Sequence, residues 1–221
     1  MIDSLVKRTR NKQFKNFDII WDETGQLATS ITPKVALNIE SSTKSLSGNP
    51  LLDGVFNQLQ SIKKLLQLEN PSAELVIASN QTDELGFTHL KFKQYFGEIR
   101  VMGGEIIVHI KDNAIESITN RLYPTPSKKA LFINIEPLIE TITKEIPFEQ
   151  LDELGNTLLT KRITSERVIY HIDNDFKNET YCYRIEYRPN LLDWWEIIAN
   201  GLTGKIITKV NKTCSVDGPK T

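Results

Sequence analysis

Histidine and cysteine are scarce in this 221-residue chain, which has three of the former (His89, His109, His171) and two of the latter (Cys182, Cys214). Two cysteines so far apart make neither a zinc knuckle nor a CxxC redox pair, which excludes the commonest cysteine-based metal and dithiol chemistry. Charge of one sign is not in excess either: 27 basic against 28 acidic side chains leave a formal net charge of -1. A dedicated nucleic-acid binder needs a dense basic footprint, and aromatics at 8% provide no base-stacking platform. No apolar run approaches the roughly 18 residues that cross a bilayer. The N-terminal sequence Met1-Ile2-Asp3-Ser4-Leu5-Val6-Lys7-Arg8 has no apolar signal-peptide segment. Taken alone, that leaves a cytoplasmic protein or one whose leader is not in this chain.

What is present suits a folded protein. The 39% hydrophobic content can build a core, and 25% charged residues suit a solvated surface. Residues 1–16 are basic and polar and read as a flexible end. Phe17 to Ile31 reads as a hairpin turning at Thr24-Gly25, and residues 41–48 as a Ser-rich loop. Asn49 as cap and Pro50 at the first helical position then open a helix. Its stripe of Leu52, Val55, Phe56, Leu59, Ile62 and Leu66 is expected to cover the domain's own sheet, with Asn70-Pro71 ending the helix. Strand-like runs follow at residues 74–79, 87–96, 99–110 and 114–121, an antiparallel meander over one helix.

Two prolines within Tyr123 to Lys129 mark a stiff connector and a domain boundary. Beyond it, a helix capped by Asn134 with Pro137 in its first turn carries Ile135, Ile139, Ile142 and Ile146, and Pro147 ends it. Strands are expected at 167–172, 181–187, 194–199 and 205–210. The predicted class is therefore α+β, with two small domains, each an antiparallel β-meander packed against a helix: residues 17–122 and 130–211, joined by a linker at 123–129 and followed by a tail at 212–221.

One stretch is far more specific. Residues 85–109 read LGFTHLKFKQYFGEIRVMGGEIIVH, which resembles the strand pair in the propeptides of thermolysin-like and fungalysin-like metallopeptidases. The motif residues are Leu85, Gly86, Thr88, His89, Gln94, Ile99, Val101, Gly103, Gly104, Glu105, Val108 and His109. Lys91 stands where that family usually has Arg, and Arg100 where it usually has Pro. Lys keeps the charge but loses the planar fork. Residues 181–211, with Trp194-Trp195 and Thr203-Gly204, are similar to the closing strands of a PepSY module. In thermolysin-like precursors the two modules stand in this order before the catalytic domain.

The resemblance implies a propeptide that acts as intramolecular chaperone and inhibitor of a secreted zinc metallopeptidase attached in cis, secreted or periplasmic once its leader is removed. A covalently attached inhibitor works at millimolar effective concentration, so modest affinity suffices. The tail, including Cys214, Asp217, Gly218 and Pro219, would be a processing strand directed to the active-site cleft. The alternative is a free-standing extracytoplasmic interaction module not coupled to a peptidase. The chain has no HExxH, nucleophile–base pair or metal cluster, so it is expected not to be an enzyme itself and to need no cofactor.

Several residues have a blander reading. With Gly97-Glu98 centring a simple hairpin, His89 would lie opposite about residue 106, three positions from His109 in a strand whose successive residues alternate faces, and no third metal ligand is evident beside them. Hydrogen bonding within the sheet is expected for His89 and a half-buried strand position for His109. Cys182 and Cys214 are expected as free thiols, since the meander separates them by more than the roughly 7 Å Cα limit for a bridge. Glu105 is expected to be structural rather than a catalytic acid. One of Trp194 and Trp195 should enter the core, leaving the other for a partner domain.

Overall fold

Alternation of apolar and polar side chains puts most of the regular structure among the described residues into antiparallel strands, with a few helices covering them, so the architecture is mixed α+β. The computed structural model describes residues 14–39, 49–126, 131–159, 161–175 and 177–213. Most of the expected flexible N-terminal end, the Ser-rich loop and the tail from Cys214 onward lie outside the described residues. The chain divides into two compact units, Met1–Ser127 and Lys128–Thr221.

In the first unit, strands β1 (Phe17–Trp21) and β2 (Ala28–Pro33) form the expected hairpin. A short β3 (Leu37–Asn38) precedes helix α1 (Pro50–Ser61), whose Asn49 side chain accepts from the amides of Leu51 and Leu52. Four strands follow: β4 (Leu75–Thr82), β5 (Thr88–Phe96), β6 (Ile99–Lys111) and β7 (Ala114–Arg121). They pair in sequence, and β2 and β3 add to β7. The predicted helix stripe packs in one cluster with Leu90, Phe92, Ile106, Val108 and Ile118 of the sheet. Phe56 meets Phe92 edge-on at 5.4 Å. Burying a side chain such as Leu59 fully contributes about 2 kcal/mol.

Two local expectations need correction. The helix does not run to Asn70: it breaks at Ile62, and after a short turn α2 (Lys63–Leu66) Gln67 takes a left-handed φ of 58°. Pro71 then starts the turn α3 (Pro71–Glu74) instead of stopping a helix, because its fixed φ suits a first helical position. The start of the proline connector is anchored to the first unit. Gln94 holds both the N–H and the C=O of Tyr123, and Thr125 donates to the buried Glu74 carboxylate at 2.6 Å.

In the second unit, α4 (Glu136–Glu145) covers β8 (Ile163–His171), β9 (Glu179–Tyr187), β10 (Trp195–Asn200) and β11 (Ile206–Asn211), antiparallel in chain order. Ile135, not Asn134, is the helix cap, without a side-chain bond, and Leu138 rather than Ile139 packs inward with Ile142. The tyrosines of β9 explain the rotation. Tyr183 donates to Ile133 O just before the helix and Tyr187 to Ile146 O just after it. Pinning both ends fixes which face meets the core. A short α5 (Glu153–Leu158), capped by Asp152 through the Gly155 amide, was not anticipated.

Candidate functional site

The motif begins at a tight turn between β4 and β5. Asp83 accepts from the amides of Leu85 and Phe87 at 2.9 Å each, and Gly86 occupies φ 80°. Thr88 then meets Thr82 across the ladder, hydroxyl to hydroxyl at 3.1 Å.

The rest of the motif is organised by one irregularity. Phe96 pairs with Ile99 and Tyr95 with Arg100, as in a simple hairpin, but the next pair is Lys93 with Glu105. Two steps along β5 are thus matched by five along β6, and the three surplus residues form a bulge containing Gly103-Gly104. Gly103 has φ 76°, whereas Gly104 is needed for space: a Cβ there would lie 2.7 Å from Gln94 Oε1 and 2.9 Å from Gln94 Cβ. The bulge makes room for the fully buried Gln94 side chain, which binds Tyr123. Val101, at the near side of the bulge, is buried.

The three-residue shift corrects the expected position of the histidines. His89 pairs directly with His109, and their Nδ1 atoms are 2.7 Å apart. Beyond them, Asp83 Oδ2 lies 3.0 Å from His89 Nε2 and Thr119 Oγ1 lies 3.1 Å from His109 Nε2. With Asp83 accepting from His89 Nε2–H, a single proton bridges the two Nδ1 atoms and every ring nitrogen is used. The hydrogen bond from His89, aided by the Phe87 amide, holds the Asp83 carboxyl below its usual range. Burial, with a smaller effect of His89, lowers His109. Among the described residues no group of three His, Cys, Asp or Glu could hold a metal.

Lys91 pairs with Glu105 at 2.7 Å, each side chain about one-third exposed. Such a pair contributes at most about 1 kcal/mol. The Glu105 carboxylate is thereby engaged in a sheet-surface ion pair.

The candidates in the second unit stand at opposite ends of β10. Trp195 opens the strand half-buried against the core, while Trp194 is more exposed, with the Arg188 guanidinium 4.6 Å from its ring centre. Thr203 and Gly204 form the far turn, where Asn200 Oδ1 accepts from Leu202 and Thr203 and Gly204 takes φ 72°. Cys182 is a buried free thiol pushed up to about 12 by burial, hence inert. Cys214, Asp217, Gly218 and Pro219 lie outside the described residues, and the pairing of Cys214 with them.

Sequence reasoning missed an ion cluster on β8, β9 and β10. Arg184 reaches Glu166 at 3.0 Å, Glu186 at 2.7 Å and Glu196 at 2.6 Å, and Lys212 joins Glu196 at 3.0 Å. Period-two spacing of Arg184 and Glu186 hinted at a shared face, but the cross-strand partners needed the register. Burial raises Glu196, yet hydrogen bonds from Lys212 and Arg184 outweigh it and hold the carboxyl below its usual range. Arg184→Met should therefore cost about 2 kcal/mol at neutral pH by leaving three carboxylates together. In urea unfolding that loss should shrink as pH falls below the ordinary carboxylate pKa, because a lowered carboxyl stabilises only above it. An undiminished loss at pH 3 would show that packing, not charge, holds the site.

Residues 73–122 match the Fungalysin/Thermolysin Propeptide Motif family. The chain is also similar to thermolysin of Alicyclobacillus acidocaldarius subsp. acidocaldarius, 24% identical over 188 residues, covering 79% of this chain and 34% of that protein. Against bacillolysin of Bacillus caldolyticus it is 22% identical over 179 residues, covering 76% of this chain and 31% of that protein. It thus spans about a third of the length of these curated relatives. Among solved structures, the Bacillus megaterium YpeB C-terminal domain aligns over 90% of this chain and 76% of its own, at 13% identity and TM-score 0.36. The bulged hairpin, the histidine pair and the Lys91–Glu105 bridge all fall within the residues that match this propeptide motif.

Proposed function

We propose that this chain is the propeptide region of a secreted thermolysin-like zinc metallopeptidase precursor, helping its catalytic domain to fold and blocking it until cleavage. In this reading residues 17–122 form the first propeptide module, residues 130–211 a PepSY-like module, and the tail carrying Cys214, Asp217, Gly218 and Pro219 runs to the active-site cleft in cis. The observation that carries the reading is the propeptide match over residues 73–122, whose motif glycines and glutamine build one bulged hairpin.

The chemistry agrees with a binding role. The motif side chains hold one another: imidazole to imidazole, Lys to Glu, Gln to backbone. Inhibition then comes from shape and tethering. At an effective concentration near 1 mM, an intrinsic dissociation constant of about 10 μM still leaves roughly a hundredfold excess of the bound state. No helix among the described residues is long and apolar enough to cross a membrane.

The test is direct. The purified chain, added to the mature enzyme cut from its own precursor or to a mature thermolysin, should slow peptide hydrolysis with an inhibition constant of about 10 μM or better. Unchanged hydrolysis by the enzyme cut from its own precursor at several times that concentration would overturn the reading.

A further inference from the structure

The loop leading into β10 is bound to the residues leaving β11. Thr213 Oγ1 donates to Leu192 O at 2.6 Å and accepts from Trp194 N at 3.0 Å. Lys212 N donates to Trp194 O at 2.6 Å, and Asn211 Nδ2 to Asp193 Oδ1 at 2.8 Å. Within the loop, Asn190 Oδ1 accepts from the amides of Leu192 and Asp193. This backbone is rigid, yet it presents Leu191 and Leu192 at 52% and 79% exposure beside the partly exposed Trp194. Three large apolar groups in four residues on a pre-ordered loop favour binding, since little conformational freedom remains to be lost.

We infer that Leu191, Leu192 and Trp194 form the docking surface for the peptidase catalytic domain that the preceding proposal places downstream. Its position names the occupant. The chain leaves the unit at Asn211 to Thr213, which are hydrogen-bonded to this loop, and the eight residues from Cys214 to Thr221 reach at most about 28 Å when fully extended. Whatever follows them in a precursor therefore starts within about 28 Å of Thr213 beside these leucines, a range in which tethering turns a small apolar contact into a well-occupied one.

The inference rests on the propeptide reading, and one experiment separates the two. Inhibition of the mature enzyme cut from the chain's own precursor is measured with the wild-type chain, with Leu191→Ser/Leu192→Ser, and with Leu154→Ser/Leu158→Ser, whose leucines are similarly exposed on α5. The loop variant should raise the inhibition constant about tenfold or more, and the α5 variant should leave it unchanged. Leu192→Arg provides a second loop variant if the double one melts early. A wild-type chain that does not inhibit overturns the propeptide reading and this inference with it. A wild-type chain that inhibits, alongside loop variants that inhibit equally well, overturns the inference alone. Self-association lost in the loop variants, with inhibition intact, would give the surface to a second copy of the chain and likewise overturn it.

Discussion

Gly104→Ala is expected to destabilise the first unit by about 3 kcal/mol, although alanine is no harder to place in a strand than glycine. Gly104 needs no left-handed backbone, so the cost is purely one of space. The added carbon would stand 2.9 Å from Gln94 Cβ and 3.2 Å from Val101 Cβ, neither the free end of a flexible chain. Gln94 cannot swing away without abandoning both bonds to Tyr123 inside the core. Gly103→Ala is the contrast. Its Cβ would meet nothing nearer than 3.7 Å, and the strain at φ 76° should cost only about 1 kcal/mol.

Trp21 is the only tryptophan before residue 128, so its fluorescence during urea unfolding reports this unit. A Gln94→Ala change in the Gly104→Ala background should restore part of the loss, since it removes the colliding group; additive losses would mean that the two positions do not collide. A Gly104→Ala cost below about 0.5 kcal/mol would show that the bulge relaxes freely, and the account of the motif given by its packing would fail.

The same bulge explains what could and could not be read from the sequence. Strand positions were legible because alternation survives at each rung, and helix α1 because Asn49, Pro50 and a continuous apolar stripe agree. Register was not, since a simple hairpin was assumed across Gly97-Glu98. That assumption sets Leu90 opposite Glu105 and Phe92 opposite Gly103, mixing core and surface residues on one face. The true pairing sets Leu90 against Val108 and Phe92 against Ile106. A shift by an odd number of residues exchanges faces, so the signal lay in the two strands compared, not in either alone. The histidine pair and the Lys91–Glu105 bridge follow once that shift is made. In the second unit, Leu138 was missed for a different reason. Four isoleucines suggested a stripe at 135, 139, 142 and 146, but the tyrosine hydroxyls at both helix ends set the rotation, and no helix periodicity contains them.

Acid should weaken the second unit through His171, at the end of β8. The ring is buried, and burial, only partly opposed by the charge of Asp175, pushes its pKa down from 6.5 to about 4. The folded state therefore keeps the imidazole neutral where the unfolded chain would protonate it. Above about pH 6.5 this costs nothing. As pH falls from there towards about 4, the unfolded state gains a proton that the folded state refuses, and stability declines. Between pH 7 and 4.5 the loss should be about 2 kcal/mol. Carboxylates such as Glu196 also lose their contribution in acid, so the diagnostic quantity is the difference from His171→Leu, which lacks the titrating ring but keeps Glu196. In a Trp21→Phe background, fluorescence of Trp194 and Trp195 follows this unit alone. The urea midpoint of the histidine form should fall faster across that window than that of His171→Leu; parallel slopes would mean that the folded chain protonates His171 as readily as the unfolded one. In a precursor, such a group would weaken the second unit as pH falls from about 6.5 towards about 4, beginning above the ordinary range of carboxylate titration.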